Sequence, residues 1–282
     1  MELTSTELQK LKVIELELLK DFIMVCEQLN LKYYIIAGTL IGAIRHQGFI
    51  PWDDDIDVAM PREDYEVFMR EGQELLSNDY FVQCLKTEPD LPICFAKIRN
   101  SNTTFIETSI KDFDINHGVY IDVFPLDFCP TDEKIRKRQK KKINLLTMRI
   151  CDEMYLPNSK MSIKTKLVTF LLKLRYPNYR TAVKAKEKQY KLCKNSNLLV
   201  NFGGAWGDRE IVPAEWFAEA CDLDFEGVTV KGPREYDKLL TQIYGDYMTP
   251  PPVEKRTTHH FATVVDTGVP YTEYVKKDIN NK

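Results

Sequence analysis

Long apolar runs are missing from this 282-residue chain. The longest uncharged stretch of strong apolar character, Tyr33 to Ile44, has twelve residues. A membrane span needs about 20, so this stretch reads as a buried element. The first ten residues, MELTSTELQK, hold neither a basic region nor an apolar one, so no secretory signal is expected. The seven cysteines include no C-x-x-C pair. An odd set without local pairing fits reduced thiols in a cytosolic protein and argues against a zinc ribbon. Internal repeats and low-complexity tracts are also absent.

The composition, 44% hydrophobic and 11% aromatic, excludes a disordered, collagen-like or coiled-coil chain. The length suffices for a core without disulfide staples and fits about two domains or one large one. The net charge of −3 hides an asymmetry. Residues 131–197 hold 19 Lys/Arg against 5 Asp/Glu, a net of +14. The rest holds 20 against 37, a net of −17. Such a split points to a polyanion or a membrane surface.

Periodicity predicts a helix over 5–30, with Leu8, Leu11, Ile14, Leu18, Phe22 and Cys26 on one side. Strands are expected at 33–38, 55–61, 81–85, 93–98, 103–107 and 118–127, the last stopped by Pro125. Thr39 to Arg45 reads as one or two helical turns, and 62–76 as a helix rich in early acids. Residues 131–194 read as basic-faced helices broken near Pro157 and Pro177. A Gly-rich loop (201–208), a hairpin (223–230) turning at Glu226-Gly227 and a helix (233–244) follow, then an extended tail through three prolines. This predicts an α+β fold. The expected organisation is an α/β core at 1–130, a basic helical segment at 131–200, and a segment at 201–282 that packs back on the core.

The richest chemical signal is Asp53-Asp54-Asp55-Ile56-Asp57. If extended, Asp53, Asp55 and Asp57 share one face and Asp54 points to the other. Residues two apart on a strand lie roughly 6.6 Å apart at the backbone. Two carboxylates there can therefore converge on one hard cation such as Mg²⁺, which relieves their repulsion. A solvated acidic turn is the competing reading, weakened by Phe49, Ile50, Trp52, Val58 and Met60 on either side. A calcium loop fails because Val58 stands where that loop needs glycine. Asp122 lies in the apolar run VYIDVF, where a lone charge needs a partner or a metal. It is either a core Asp paired with an Arg or helix end, or the third ligand of a two-metal site. Gly38-Thr39, after the first strand, offers close backbone approach and helix N–H groups to a phosphate.

The order Gly-Thr, Asp-x-Asp, lone strand Asp resembles the nucleotidyltransferase superfamily. The string GTLIGAIRHQGFIPWDDDIDVAMPREDYEVF (38–68) resembles the LicD-type phosphocholine transferases, relatives of the fukutin family. GVYIDVFPLD (118–127), EWF (215–217) and residues 236–260 support the likeness. The resemblance implies a nucleotidyltransferase-like core: a short mixed sheet flanked by helices. It implies Mg²⁺ (or Mn²⁺) held by Asp55, Asp57 and Asp122, with Asp53 as an additional ligand in some states. It further implies transfer of phosphocholine from CDP-choline, or another phospho-alcohol such as ribitol or glycerol phosphate, with release of CMP. The acceptor would be a hydroxyl of a cell-surface glycan, such as lipopolysaccharide, or of a teichoic acid precursor, possibly lipid-linked.

Other residues carry two readings each. Arg45 is a phosphate clamp or a surface Arg. Lys97 and Arg99 alternate on a strand, facing phosphates or forming salt bridges. His259 and His260 point in different directions in an extended segment, so one of them contacts phosphate or nucleotide, or both are ordinary histidines. His46 and His117 have no assigned role. Trp52 and Trp206 stack on cytosine, cage a trimethylammonium, or belong to the core. In the basic segment, Ile163, Leu167, Val168, Phe170, Leu171 and Leu174 interleave with Lys164, Lys166, Lys173 and Arg175. That pattern is an interfacial helix on an anionic membrane or a helix docked on the body. The expected location is cytoplasmic, with peripheral attachment at the inner face of the membrane. A metal-dependent glycosyltransferase also uses Asp-x-Asp, but it leaves Gly38-Thr39 and Asp122 unexplained. Nucleic acid is not an expected partner, because no recognition motif is present.

Overall fold

A computed structural model of the chain describes residues 3–154, 163–258 and 260–279. Its first element, α1 (Ser5–Gln28), starts at Thr4, whose side chain caps Glu7 N–H while Glu7 caps Thr4 in return. Such a box is worth about 1 kcal/mol. The helix buries Leu11, Leu18, Leu19, Phe22 and Cys26, close to the expected stripe. It also buries Lys12 and Glu15, which the periodicity did not reveal.

Next come β1 (Tyr34–Ile35) and α2 (Ala37–His46). The strand is shorter than the expected 33–38 because Ala37 takes φ +50° and turns the chain into the helix at once. β2 (Asp57–Pro61) begins only at the last Asp of the cluster, so residues 53–56 are a loop. α3 (Arg62–Leu75), β3 (Tyr80–Gln83), β4 (Ala96–Asn100), β5 (Thr104–Glu107) and β6 (Val119–Phe128) follow. The sheet order is β1-β2-β6-β4-β3. Only β2 and β6 run parallel in that row; the other neighbours are antiparallel. β6 is buried over almost its whole length because both its flanks are paired. It runs past Pro125, contrary to expectation. Pairing with β4 ends at Val123 and that with β7 starts at Asp127, so the proline falls in a gap on that side of the ladder.

The basic segment forms α4 (Glu133–Met154), α5 (Ile163–Arg175) and α6 (Tyr179–Tyr190). Asn178 caps α6 just after Pro177, the expected break; the break near Pro157 lies outside the described residues. α4 and α6 share a small core of their own, including Ile143, Leu146, Ile150, Ala182 and Val183. The chain returns through β7 (Leu198–Val200) and β8 (Val212–Pro213), which extend the sheet from β6. The hairpin of β9 (Ala220–Phe225) and β10 (Val228–Pro233) turns at Glu226 and Gly227, with φ +53° and +75°. Positive φ at both positions matches the twist a two-residue hairpin needs. α7 (Tyr236–Tyr244), β11 (Ala262–Asp266) and α8 (Thr272–Ile279) complete the fold, and β11 pairs with β5. The main core joins Ile56, Val58, Ile98, Ile121 and Val123 to Phe217, Phe225, Leu240 and Ile243. Residues after 200 thus close the same core as residues before 130.

Candidate active site

A cavity of about 880 Å³ opens between these two parts. Its walls come from the start of α2, the 50–57 loop, β6, the 200–206 loop and α7. Asp53, Asp55, Asp57 and Asp122 all line it, with Gly38, Arg45, Trp52 and His260.

Register places the carboxylates. Across the parallel ladder Asp57 is the partner of Asp122, and across the antiparallel one Asp122 is the partner of Lys97. Directly opposed residues share a face, so acid, acid and base stand in a row on three adjacent strands. Thr39 Oγ1 accepts the Asp57 N–H at 2.8 Å and ties the start of β2 to α2. Thr39 therefore holds the acid rather than opening to the cavity, where Gly38 and not Thr39 appears. Gly38 is needed for close approach: a Cβ there would stand 2.4 Å from Asp53 Oδ2. The acidic loop is pinned from below by buried Lys12, whose Nζ donates to the Ile50 and Pro51 carbonyls at 3.0 and 3.1 Å.

Asp53, Asp55 and Asp57 reach the cavity while Asp54 turns away from it. Asp54 does not point into an unrelated face, however. Its carboxylate accepts the His260 backbone N–H at 3.2 Å and lies 3.3 Å from His260 Nδ1, which is 3.9 Å from Asp55 Oδ2. Burial opposes charge on His260, but the Asp54 hydrogen bond and the Asp55 charge push its pKa up to about 9. Burial and then the charges of Asp55 and Asp122 push Asp57 well above the carboxylate range. Burial, Asp55 and Asp54 do the same to Asp53. Glu15, beneath the loop, is raised by burial and by the three loop aspartates.

Of the two readings of Lys97 and Arg99, the structure shows the salt bridges. Both are buried side by side on β4, as alternation requires, but they face a buried acid instead of the cavity. Lys97 Nζ lies 2.8 Å from Asp122 and 3.5 Å from Glu107. Arg99 bonds Glu107, Gln83 and the Gly118 carbonyl. Burial works against the Glu107 charge, yet these two cations hold it at about 2. A phosphate cannot reach Arg99, which is fully enclosed.

Arg45 sits at the cavity wall, its guanidinium donating to the Tyr247 carbonyl at 2.7 Å. Lys255 also lines the mouth, and Arg256 lies 4.9 Å from the centre of the Trp52 ring. Sequence reading missed Lys255, Arg256, Lys12 and the Asp54–His260 contact; only their place in the resembling 236–260 stretch flagged the first two. His117 is a core residue with Nε2 3.0 Å from the Phe113 carbonyl, and His46 is exposed beside Arg45. His259 lies outside the described residues.

The donor set suits a divalent ion. Asp53, Asp55, Asp57 and Asp122 line one cavity, and burial and repulsion penalise the charge of Asp53 and Asp57, which a hard cation would offset. Among the described residues, the group of three whose donor atoms lie within 4.8 Å of one another is Asp54, Asp55 and His260. Carboxylates on adjacent strands stand beside a helix N-terminus and a cationic rim, and together with the chain's relatives they mark the protein as an enzyme, a phosphotransferase. The family model described as LicD/FKTN/FKRP, nucleotidyltransferase domain, matches residues 30–169. The chain belongs to the LicD family. It is 29% identical over 261 residues to the lipopolysaccharide cholinephosphotransferase LicD of Haemophilus influenzae, covering 90% of this chain and 96% of that protein. Shorter similarity, 39% over 75 residues and 24% of each chain, links it to an uncharacterised protein of Rickettsia typhi.

Proposed function

We propose that this enzyme transfers phosphocholine from CDP-choline to a hydroxyl of a cell-surface glycan precursor, releasing CMP. The observation that carries the reading is the register that sets Asp57 beside Asp122 at the cavity, with Asp55 and Gly38 around them. The name of the Haemophilus relative supports the choline head and a lipopolysaccharide acceptor. Asp55, Asp57 and Asp122, with Asp53 alongside, would hold Mg²⁺ or Mn²⁺. Such an ion supplies positive charge where attack at phosphorus builds negative charge. Arg45 and the first N–H groups of α2 bind the donor phosphates. Thr39 and Lys97 fix Asp57 and Asp122 in place, and Asp122 takes the proton of the acceptor hydroxyl. The apolar walls keep water from competing with that hydroxyl.

Purified protein with Mg²⁺ and CDP-choline, CDP-ribitol, CDP-glycerol or UDP-sugars tests this. CMP release from CDP-choline alone supports it. Release from another CDP-alcohol reassigns the head, and turnover of UDP-sugars alone overturns the reading.

The partner surface is α5. Leu167, Phe170, Leu171 and Leu174 are 55–69% exposed and follow helical spacing, beside Lys166, Lys173 and Arg175. We propose that this stripe rests on an anionic bilayer, where a lipid-linked acceptor is presented. No helix among the described residues is long and apolar enough to cross a membrane. Indifference to anionic liposomes at low salt would remove this part of the proposal.

A further inference from the structure

Beyond the carboxylates, the cavity has a second chemically distinct wall built by the 200–210 loop. Gly203 lies flat on two aromatic rings: a Cβ there would stand 3.0 Å from Phe124 and 3.1 Å from Phe95. Those rings pack against each other at 4.4 Å. Gly204 lies flat on a carboxylate, since a Cβ would fall 1.9 Å from Glu210 Oε2. Trp206 and Tyr244 meet edge to face at 5.0 Å. All seven residues line the cavity.

Glu210 is the anomaly on this wall. It is 8% exposed, and its carboxylate accepts the Trp206 N–H at 2.8 Å. Among the described residues no cation pairs with it. Arg209, its neighbour in sequence, instead lies over the Trp206 ring at 5.6 Å and donates to the Ile243 carbonyl. Burial pushes the Glu210 carboxyl up to about 7, against the Trp206 N–H. A buried acid without a counter-charge is costly, and a bound cation would remove that cost.

We infer that Glu210, Trp206, Tyr244, Phe95 and Phe124 form the subsite for a quaternary ammonium head on the donor, which rests on the CDP-alcohol reading above. Such a head carries full charge but no N–H donor. It is held by aromatic faces and one acid. A polyol head needs several hydrogen-bond partners, and this wall offers few: Asn201 already accepts the Gly203 N–H at 2.9 Å. The subsite adjoins the reaction centre. The Tyr244 phenol is raised first by burial, then by Asp57, Glu210 and Asp53, so it stands near both groups of acids.

Calorimetric titration of the full chain with Mg²⁺ and CDP-choline, CDP-glycerol or CMP tests the assignment. Glu210→Gln keeps size and shape; Trp206→Ala changes a side chain that is 45% exposed and so spares the core. Each variant should lose about tenfold or more in affinity for CDP-choline and change little toward CDP-glycerol and CMP. Equal losses for all three ligands would mean that the wall is only structural, and no loss would mean that the head lies elsewhere; either overturns the inference alone. Failure of the unaltered protein to bind any CDP-alcohol or CMP overturns the donor reading itself, and the subsite with it.

Discussion

Replacing Glu210 by Gln should stabilise the ligand-free protein while weakening its grip on a cationic donor. The carboxyl titrates at about 7 instead of the ordinary 4.5, because burial disfavours its charge. Between those values the folded state holds a proton that the unfolded chain has released. Stability contributed at this site is therefore present below pH 4.5, falls as pH rises to about 7, and stays lost above. At 1.36 kcal/mol per pH unit the full loss is about 3 kcal/mol. Glutamine accepts the Trp206 N–H without ever ionising. The advantage of the variant should then widen by about 2.5 kcal/mol between pH 5 and pH 8. In thermal unfolding that is a gain of about 5–10 °C at pH 8, with a much smaller gain at pH 5. Parallel urea and thermal unfolding at the two pH values, without ligand, measures it. An offset that does not change with pH, or a variant less stable at pH 8 than at pH 5 relative to the parent, would refute the reasoning.

Asp57→Ala and Asp122→Ala should each lower CMP release from CDP-choline at least about a hundredfold. Their circular dichroism should match the parent, and retained turnover in both would dismiss the carboxylate site. Lys97→Met leaves Asp122 and Glu107 without their shared buried cation. It should cost about 3–5 kcal/mol in urea unfolding. Arg45→Ala, at the wall of the cavity, should raise the KM for the donor about tenfold and shift the melting temperature little. Leu171→Glu with Leu174→Glu on exposed α5 should abolish sedimentation with anionic liposomes and leave turnover of a soluble acceptor unchanged.

Much of the site was legible because its key residues are close in sequence. The two-residue period of extended chain places Asp53, Asp55 and Asp57 together and sends Asp54 elsewhere, even though only Asp57 lies in a regular strand. Gly38 was legible for the same reason: a strand–helix corner advertises its own backbone need. Helical spacing likewise exposed the α1 stripe and the apolar line on α5. Where the spacing left two readings open, the choice rested on how strands pack. Lys97 and Arg99 share a face as expected, and what that face meets is Glu107 on β5, which pairs with β11 in a separate sheet.

The sequence by itself determined the α+β character, the paired acids, the basic helical segment and the family resemblance. These rest on local rules of period, turn chemistry and charge. Tertiary structure alone decided that Asp57 sits opposite Asp122 and that Lys97 pairs with Asp122. It also decided that β11, by pairing with β5, carries His260 back to Asp54, 206 residues away. The Glu210 wall is of the same kind, since a glutamate in a loop reads as solvated until its neighbours bury it. Local spacing fixes which side of an element a residue occupies. What waits on that side is set by strand register and by burial, and both come into being only when the core closes.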